Sequence, residues 1–169
     1  MSKEIVNRVA DSSLKTIDLE LFYPKGKRTV IDIKNWLYQE LILKESEFRE
    51  ILKNHDWSVY NNHFVALTCS SDAIIPSWAY MLIATYLSPV TQKNIVGDLK
   101  ALETAIFQDV IHAINLEEFR SKPVIIKGCS TKPIPESAYI QLIEKLQPVA
   151  KSIMFGEACS TVPLFKKTI

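Results

Sequence analysis

Phe64-Val-Ala-Leu-Thr-Cys-Ser-Ser-Asp-Ala-Ile-Ile-Pro-Ser-Trp-Ala-Tyr80 comes back, with one residue fewer in the loop after the cysteine, as Pro123-Val-Ile-Ile-Lys-Gly-Cys-Ser-Thr-Lys-Pro-Ile-Pro-Glu-Ser-Ala-Tyr139. The echo continues downstream. Ser88-Pro89-Val90 and Ile95-Val96-Gly97-Asp98 in the first copy answer to Gln147-Pro148-Val149 and Ile153-Met154-Phe155-Gly156-Glu157 in the second. Pro76 maps to Pro135, Tyr80 to Tyr139, Pro89 to Pro148 and Gly97 to Gly156, each 59 residues on, while Cys69 maps to Cys129 at 60. Upstream, Phe48 answers to Phe107 and Tyr60 to Phe119, within segments of helical apolar spacing. A fixed period with shared punctuation is the mark of an internal repeat. Each copy reads as helix, strand, Cys-loop, helix, strand, over about residues 45–98 and 99–158.

The elements have local causes. Phe64 to Thr68 and Val124 to Lys127 are short runs rich in Val, Ile and Leu, each followed by small polar residues and a proline, the pattern of a buried strand. Pro76 and Pro135 suit the first turn of a helix, where a missing N–H costs nothing. Pro89 and Pro148 stop those helices, so that Ile95-Val96 and Ile153 to Phe155 become second strands of parallel crossovers. The helix through Trp78, Met81, Leu82, Ile83 and Leu87 is apolar nearly all round, whereas its counterpart carries Gln141, Glu144 and Lys145, so the first is expected to be the more buried. Thr16 to Leu21 and Thr29 to Ile33 alternate around Tyr23-Pro24-Lys25-Gly26-Lys27 and read as a β-hairpin. The expected fold is therefore α/β: a single domain, residues 1–169, with two duplicated βαβ units and an N-terminal hairpin on one mixed sheet. Trp36 to Leu43 fits helix or irregular chain, and Lys166 to Ile169 reads as a frayed tail.

Composition narrows the function. The 169 residues hold twenty basic and nineteen acidic side chains, a net charge of +1, which gives no field to gather nucleic acid or anionic lipid. No apolar run approaches the roughly 20 residues of a membrane helix, and Met1-Ser2-Lys3-Glu4 opens no secretory signal. The expectation is a cytoplasmic protein with neither nucleic acid nor membrane as partner. Three cysteines, an odd number without secretory context, argue against a disulfide framework.

The cysteines carry the chemistry. Cys69 and Cys129 fall at the carboxyl ends of strands and shortly before helix N-termini, where open α/β sheets place ligands, and Cys159 follows the last strand read from the repeat. Each is followed by Ser and then Ser or Thr. Helix N-termini favour thiolates, and three thiolates suit zinc or an iron–sulfur cluster. The expected metal site is Cys69, Cys129 and Cys159, completed by Asp72 or His63. Two other readings stand beside it: a metal-free thiol or persulfide carrier, and a non-catalytic interaction protein whose cysteines are small core residues. His112 and Glu157 are weaker ligand candidates, and the Lys25, Lys27, Arg28 group is a solvated basic turn or a contact for an acidic partner. No Arg follows a cysteine in the manner of a phosphatase loop, and neither a Cys-x-x-Cys pair, a Gly-rich phosphate loop nor a metalloprotease helix is present.

The stretches from Cys69 to Met81, from Lys127 to Tyr139 and from Gly156 to Leu164, with Ile5-Val-Asn-Arg-Val near the start, resemble the Bacteroidetes family termed domain of unknown function 2480. The resemblance covers essentially the whole chain and implies no established activity. It does imply genes lying beside those of iron–sulfur assembly of the sulfur-mobilisation type, and hence iron–sulfur assembly proteins as partners.

Overall fold

The computed structural model describes residues 13–128, 131–157 and 159–168. In chain order the elements are β1 (Lys15–Ile17), β2 (Arg28–Asp32), α1 (Glu45–Asn54), β3 (Phe64–Thr68), α2 (Ser77–Leu87), β4 (Lys93–Val96), α3 (Leu99–Ala113), β5 (Pro123–Ile126), α4 (Glu136–Leu146), β6 (Ser152–Glu157) and β7 (Ser160–Lys166). Single 3-10 turns follow β1 and β2 and precede β3 and β5. The protein is α/β as expected, and its βαβ connections are in place. It divides into two compact units, one continuous over Pro24–Ile106 and the other assembled from Met1–Tyr23 and Phe107–Ile169.

Unit Pro24–Ile106 holds an all-parallel sheet in the order β2-β3-β4. The middle strand β3 is buried from Phe64 to Leu67, which is why its sequence runs apolar without alternation. On one face α1 buries Phe48 and Leu52, one turn apart, and α2 buries Ala79, Ile83 and Leu87 against Ile31, Val65 and Leu67. On the other face Leu102 and Ile106 of α3 pack with Phe64, Ala66 and Ile95. Arg28 at the start of β2 is bound to α3. Its Nε donates to Glu103 Oε1 at 2.8 Å and its Nη1 to the carbonyls of Pro24 and Gly26, with the guanidinium over the Phe64 ring. Arg28 is thus a structural residue rather than part of a solvated basic turn.

The other unit holds a four-stranded sheet, β1-β5-β6-β7, parallel except for the antiparallel pair β6–β7. The second half of α3 supplies Phe107 and Ile111 to its core, where α4 adds Ala138, Leu142 and Leu146 to Val124, Ile126 and Ile153. Lys145 on α4 closes the end of α3 by donating to the carbonyls of Ile111, His112 and Ile114.

The 59-residue offset runs through this geometry. Asn62 and Ser121, at φ 60 and 58, donate their N–H to Val90 and Val149, each at 2.8 Å. Asp56 and Asn115 both cap the turn that follows them, through Ser58 N–H and Glu117 N–H. Phe48 and Phe107 are both 0% exposed.

Three expectations are corrected. The mixed sheet is two sheets, and the N-terminal hairpin does not form: β1 runs parallel to β5 and β2 parallel to β3. Alternation identified β2 but only the start of the run from Thr16 to Leu21, whose second half is the 3-10 turn Leu19–Phe22; it carries no information about partners, and each unit takes its first strand from upstream of the span read from the repeat. α2 is no more buried than α4, since Met81 and Ile140, 59 residues apart, are each 62% exposed. Position in the unit sets burial here: the buried residues are Ala79, Ile83 and Leu87 in α2 and, 59 residues on, Ala138, Leu142 and Leu146 in α4. Finally, Lys166 closes β7 rather than opening a frayed tail, a strand obscured in the sequence by Pro163. Trp36 to Leu43 is a 3-10 turn ending at Trp36, then irregular chain pinned by a bridge between Tyr38 and Ile42. Among the described residues no helix is long and apolar enough to cross a membrane.

Candidate functional site

Parallel sheets bring their loops to the carboxyl ends of the strands, and the hydrogen-bonded side chains gather there in both units. In Pro24–Ile106, Asp32 ends β2 and accepts three hydrogen bonds: from Lys34 N–H at 3.1 Å, Ser70 N–H at 3.1 Å and Ser70 Oγ at 2.6 Å. Desolvation pushes its carboxyl up, but these bonds and the Lys34 charge prevail and hold it below the ordinary aspartate value. A phosphate in an anion-binding loop would use just such donors, so the protein's own carboxylate occupies that role.

Cys69, next to Ser70, is half-buried among the residues packed on the α1–α2 core. Its Sγ lies 3.4 Å from Ser71 Oγ and 3.8 Å from Ser71 O. Burial pushes the Tyr80 hydroxyl up, and Cys69 beside it adds to the shift. His63 stands at the other end of β3, its Nδ1 3.1 Å from Thr29 Oγ1. Six residues of extended chain separate His63 from Cys69, about 20 Å at strand rise, so the two cannot share an ion.

In the other unit Asp18 follows β1, caps Glu20 N–H at 2.9 Å and pairs with Lys127 Nζ at 3.1 Å. Thr131 donates its N–H and Oγ1–H to Glu20, joining the loop after β5 to the turn after β1. Hydrogen bonding to Asp18 and the charges of Asp18, Glu157 and Glu20 raise the Lys127 pKa, so this amine is held as ammonium and is no nucleophile. Burial, then Asp18 and Glu20, push the Tyr139 hydroxyl up. Cys159 is exposed in the turn between β6 and β7. Gly156 just before it, at φ +127, would place a Cβ 2.5 Å from Ser160 O, so the tight hairpin demands glycine. Glu157 is an exposed strand end and His112 an exposed residue on the last turn of α3.

The expected metal centre is overturned. Among the described residues no group of three His, Cys, Asp or Glu side chains is placed to hold a metal ion. Cys69, Asp72 and His63 belong to one unit and Cys159 to the other. Cys129 lies outside the described residues.

What the carboxyl edge of Pro24–Ile106 does present is apolar. Leu41, Ile42 and Leu43, from the chain after β2, and Ala73, Ile74, Pro76 and Trp78, from the Cys69 loop and α2, line a groove of about 700 Å³ with Glu45 and Asp72 at its rim. Ile74 is 91% exposed, Leu41 54% and Ile42 53%. Just before Leu41 stand Gln39 and Glu40, two successive non-glycine residues in the left-handed region at φ 50 and 59. Such backbone costs of order 1 kcal/mol per residue and clusters at functional surfaces. In the sequence the signal was the pair of aliphatic runs Leu41-Ile42-Leu43 and Ile74-Ile75, both outside the helices and strands.

No curated protein and no solved structure matches the chain. The family described as Protein of unknown function (DUF2480) matches over residues 3–167, nearly the whole length, and the chain belongs to that family.

Proposed function

We propose that residues 24–106 form a docking module that seats an apolar peptide segment carrying a basic side chain in the groove at the sheet's carboxyl edge. The exposure of Ile74, at 91% in a groove that Leu41 and Ile42 also line, carries the reading. Exposed large aliphatics gathered round one concave surface mark an interaction site. The charge of the lining supports the choice of occupant: Asp72 is exposed and, among the described residues, makes no ion pair, whereas Glu45 is held by Arg49 at 2.9 Å. The strained turn at Gln39 and Glu40 supports it too, because it holds the aliphatic wall in place before any partner arrives.

The test uses two labelled twelve-residue amphipathic peptides, one of leucine and lysine, the other of leucine and glutamate. The lysine peptide is expected to bind, with backbone NMR shifts confined to Leu41–Leu43 and Ala73–Trp78. Ile74→Ser is expected to weaken it about tenfold, the loss of one buried aliphatic side chain. Equal binding of both peptides, or shifts mapping elsewhere, overturns the proposal.

A further inference from the structure

The other unit carries a cavity of different chemistry. About 740 Å³ of space is lined by Ser121, Val149, Ala150, Lys151, Lys166, Lys167 and Thr168. That volume is within the range of small-molecule sites. Lys166 ends β7 opposite Ser152 of β6, and Lys167 N–H donates to Lys151 O at 2.9 Å, so the ladder brings three lysines to one end of the hairpin. Half-buried Val149 and buried Ala150 add apolar lining. None of the lining residues is acidic. Among the described residues none of the three lysines forms an ion pair, whereas Arg28 and Lys127, also at strand ends, are paired with Glu103 and Asp18.

The corresponding place in Pro24–Ile106 has the same backbone frame and is plugged. Gln92 N–H bonds His63 O at 2.8 Å there, as Lys151 N–H bonds Lys122 O at 2.9 Å here. The Gln92 side chain, however, donates Nε2–H to Lys25 O and Asn62 O, each at 2.8 Å, and Gly26 lies so close that a Cβ would meet Gln92 Nε2 at 2.5 Å. Where one unit has a neutral amide fastened to its own chain, the other has a lysine beside open space.

We propose that this cavity binds a small aliphatic carboxylate, the lysines holding the anionic head and half-buried Val149 meeting the apolar body. Octanoate is the probe, with octylammonium as the same body of opposite charge and inorganic phosphate as an anion without a body. Octanoate is expected to shift the backbone signals of Ser121, Val149–Lys151 and Lys166–Thr168 and to raise the melting temperature by mass action. Lys151→Gln, which installs the residue of the plugged unit, and Lys166→Gln are each expected to weaken octanoate about tenfold, as loss of a charge-assisted contact does. Both variants are expected to keep the wild-type urea midpoint. Equal binding of octylammonium, equal binding of phosphate, shifts at other residues, or unchanged affinity in both variants overturns the proposal.

Discussion

The ion pair between Arg28 and Glu103 ties β2 to α3 with side chains only 14% and 12% exposed. At 2.8 Å and an effective dielectric near 20, the attraction is about 6 kcal/mol. Desolvation of both groups cancels much of this in the intact pair. Removing one partner strands the other, at about 3–5 kcal/mol. Glu103→Leu is expected to cost about 3 kcal/mol, the low end, because Arg28 keeps the carbonyls of Pro24 and Gly26, and Arg28→Met about the same, because the stranded Glu103 retains some exposure. The double variant, with two apolar side chains of similar volume, is expected to cost only about 1–2 kcal/mol. Urea denaturation followed by tryptophan fluorescence reads this directly, since Trp36, Trp57 and Trp78, the chain's three tryptophans, all lie within Pro24–Ile106. A double variant as unstable as the sum of the singles, about 6 kcal/mol, would refute the coupling.

Asp32, held below its unfolded pKa, contributes stability that is present above the unfolded value of about 3.9 and lost as pH falls through the folded one. The urea midpoint of Asp32→Asn is therefore expected to lie below wild type at pH 6, the gap closing as pH falls toward 2; a gap that persists to pH 2 excludes this origin. Gly156→Ala, at φ +127 with Ser160 O 2.5 Å from the new Cβ, is expected to cost about 3 kcal/mol in urea unfolding followed by circular dichroism, and a cost below about 1 kcal/mol would contradict the reading of the hairpin.

The period of 59 residues made the order of helices and strands legible, because Pro76, Pro89 and their counterparts punctuate both copies alike. Pairing was not legible. Lys15 meets Val124 and Arg28 meets Phe64, parallel contacts whose register lies in no local pattern. The cysteines misled for a related reason: a residue type shared by both copies pointed to convergence, yet the fold gives each unit its own carboxyl edge, with Cys69 bonded to Ser71 in one and Cys159 exposed in the other. The aliphatic groove was written in the sequence as Leu41-Ile42-Leu43 and Ile74, but only the structure shows that Leu41, Ile42 and Ile74 face water while half-buried Leu43 packs on the core.

The continuous unit lies within the sequence of the other, and this sets a timetable for a chain made from its N-terminus. β1 leaves the ribosome about 100 residues before β5, its sheet partner among the described residues, has been synthesised, whereas β2 waits for about 30. Closing the longer loop from an unstructured chain costs about 1 kcal/mol more. Residues 24–106 are complete much earlier, and the Arg28–Glu103 clasp draws the two ends of that stretch together. Once it has folded, the span between β1 and α3 behaves as a short tether in place of a long coil. The nascent chain thus assembles its inner unit first, and the outer unit inherits a search for β5 that the inner one has already shortened.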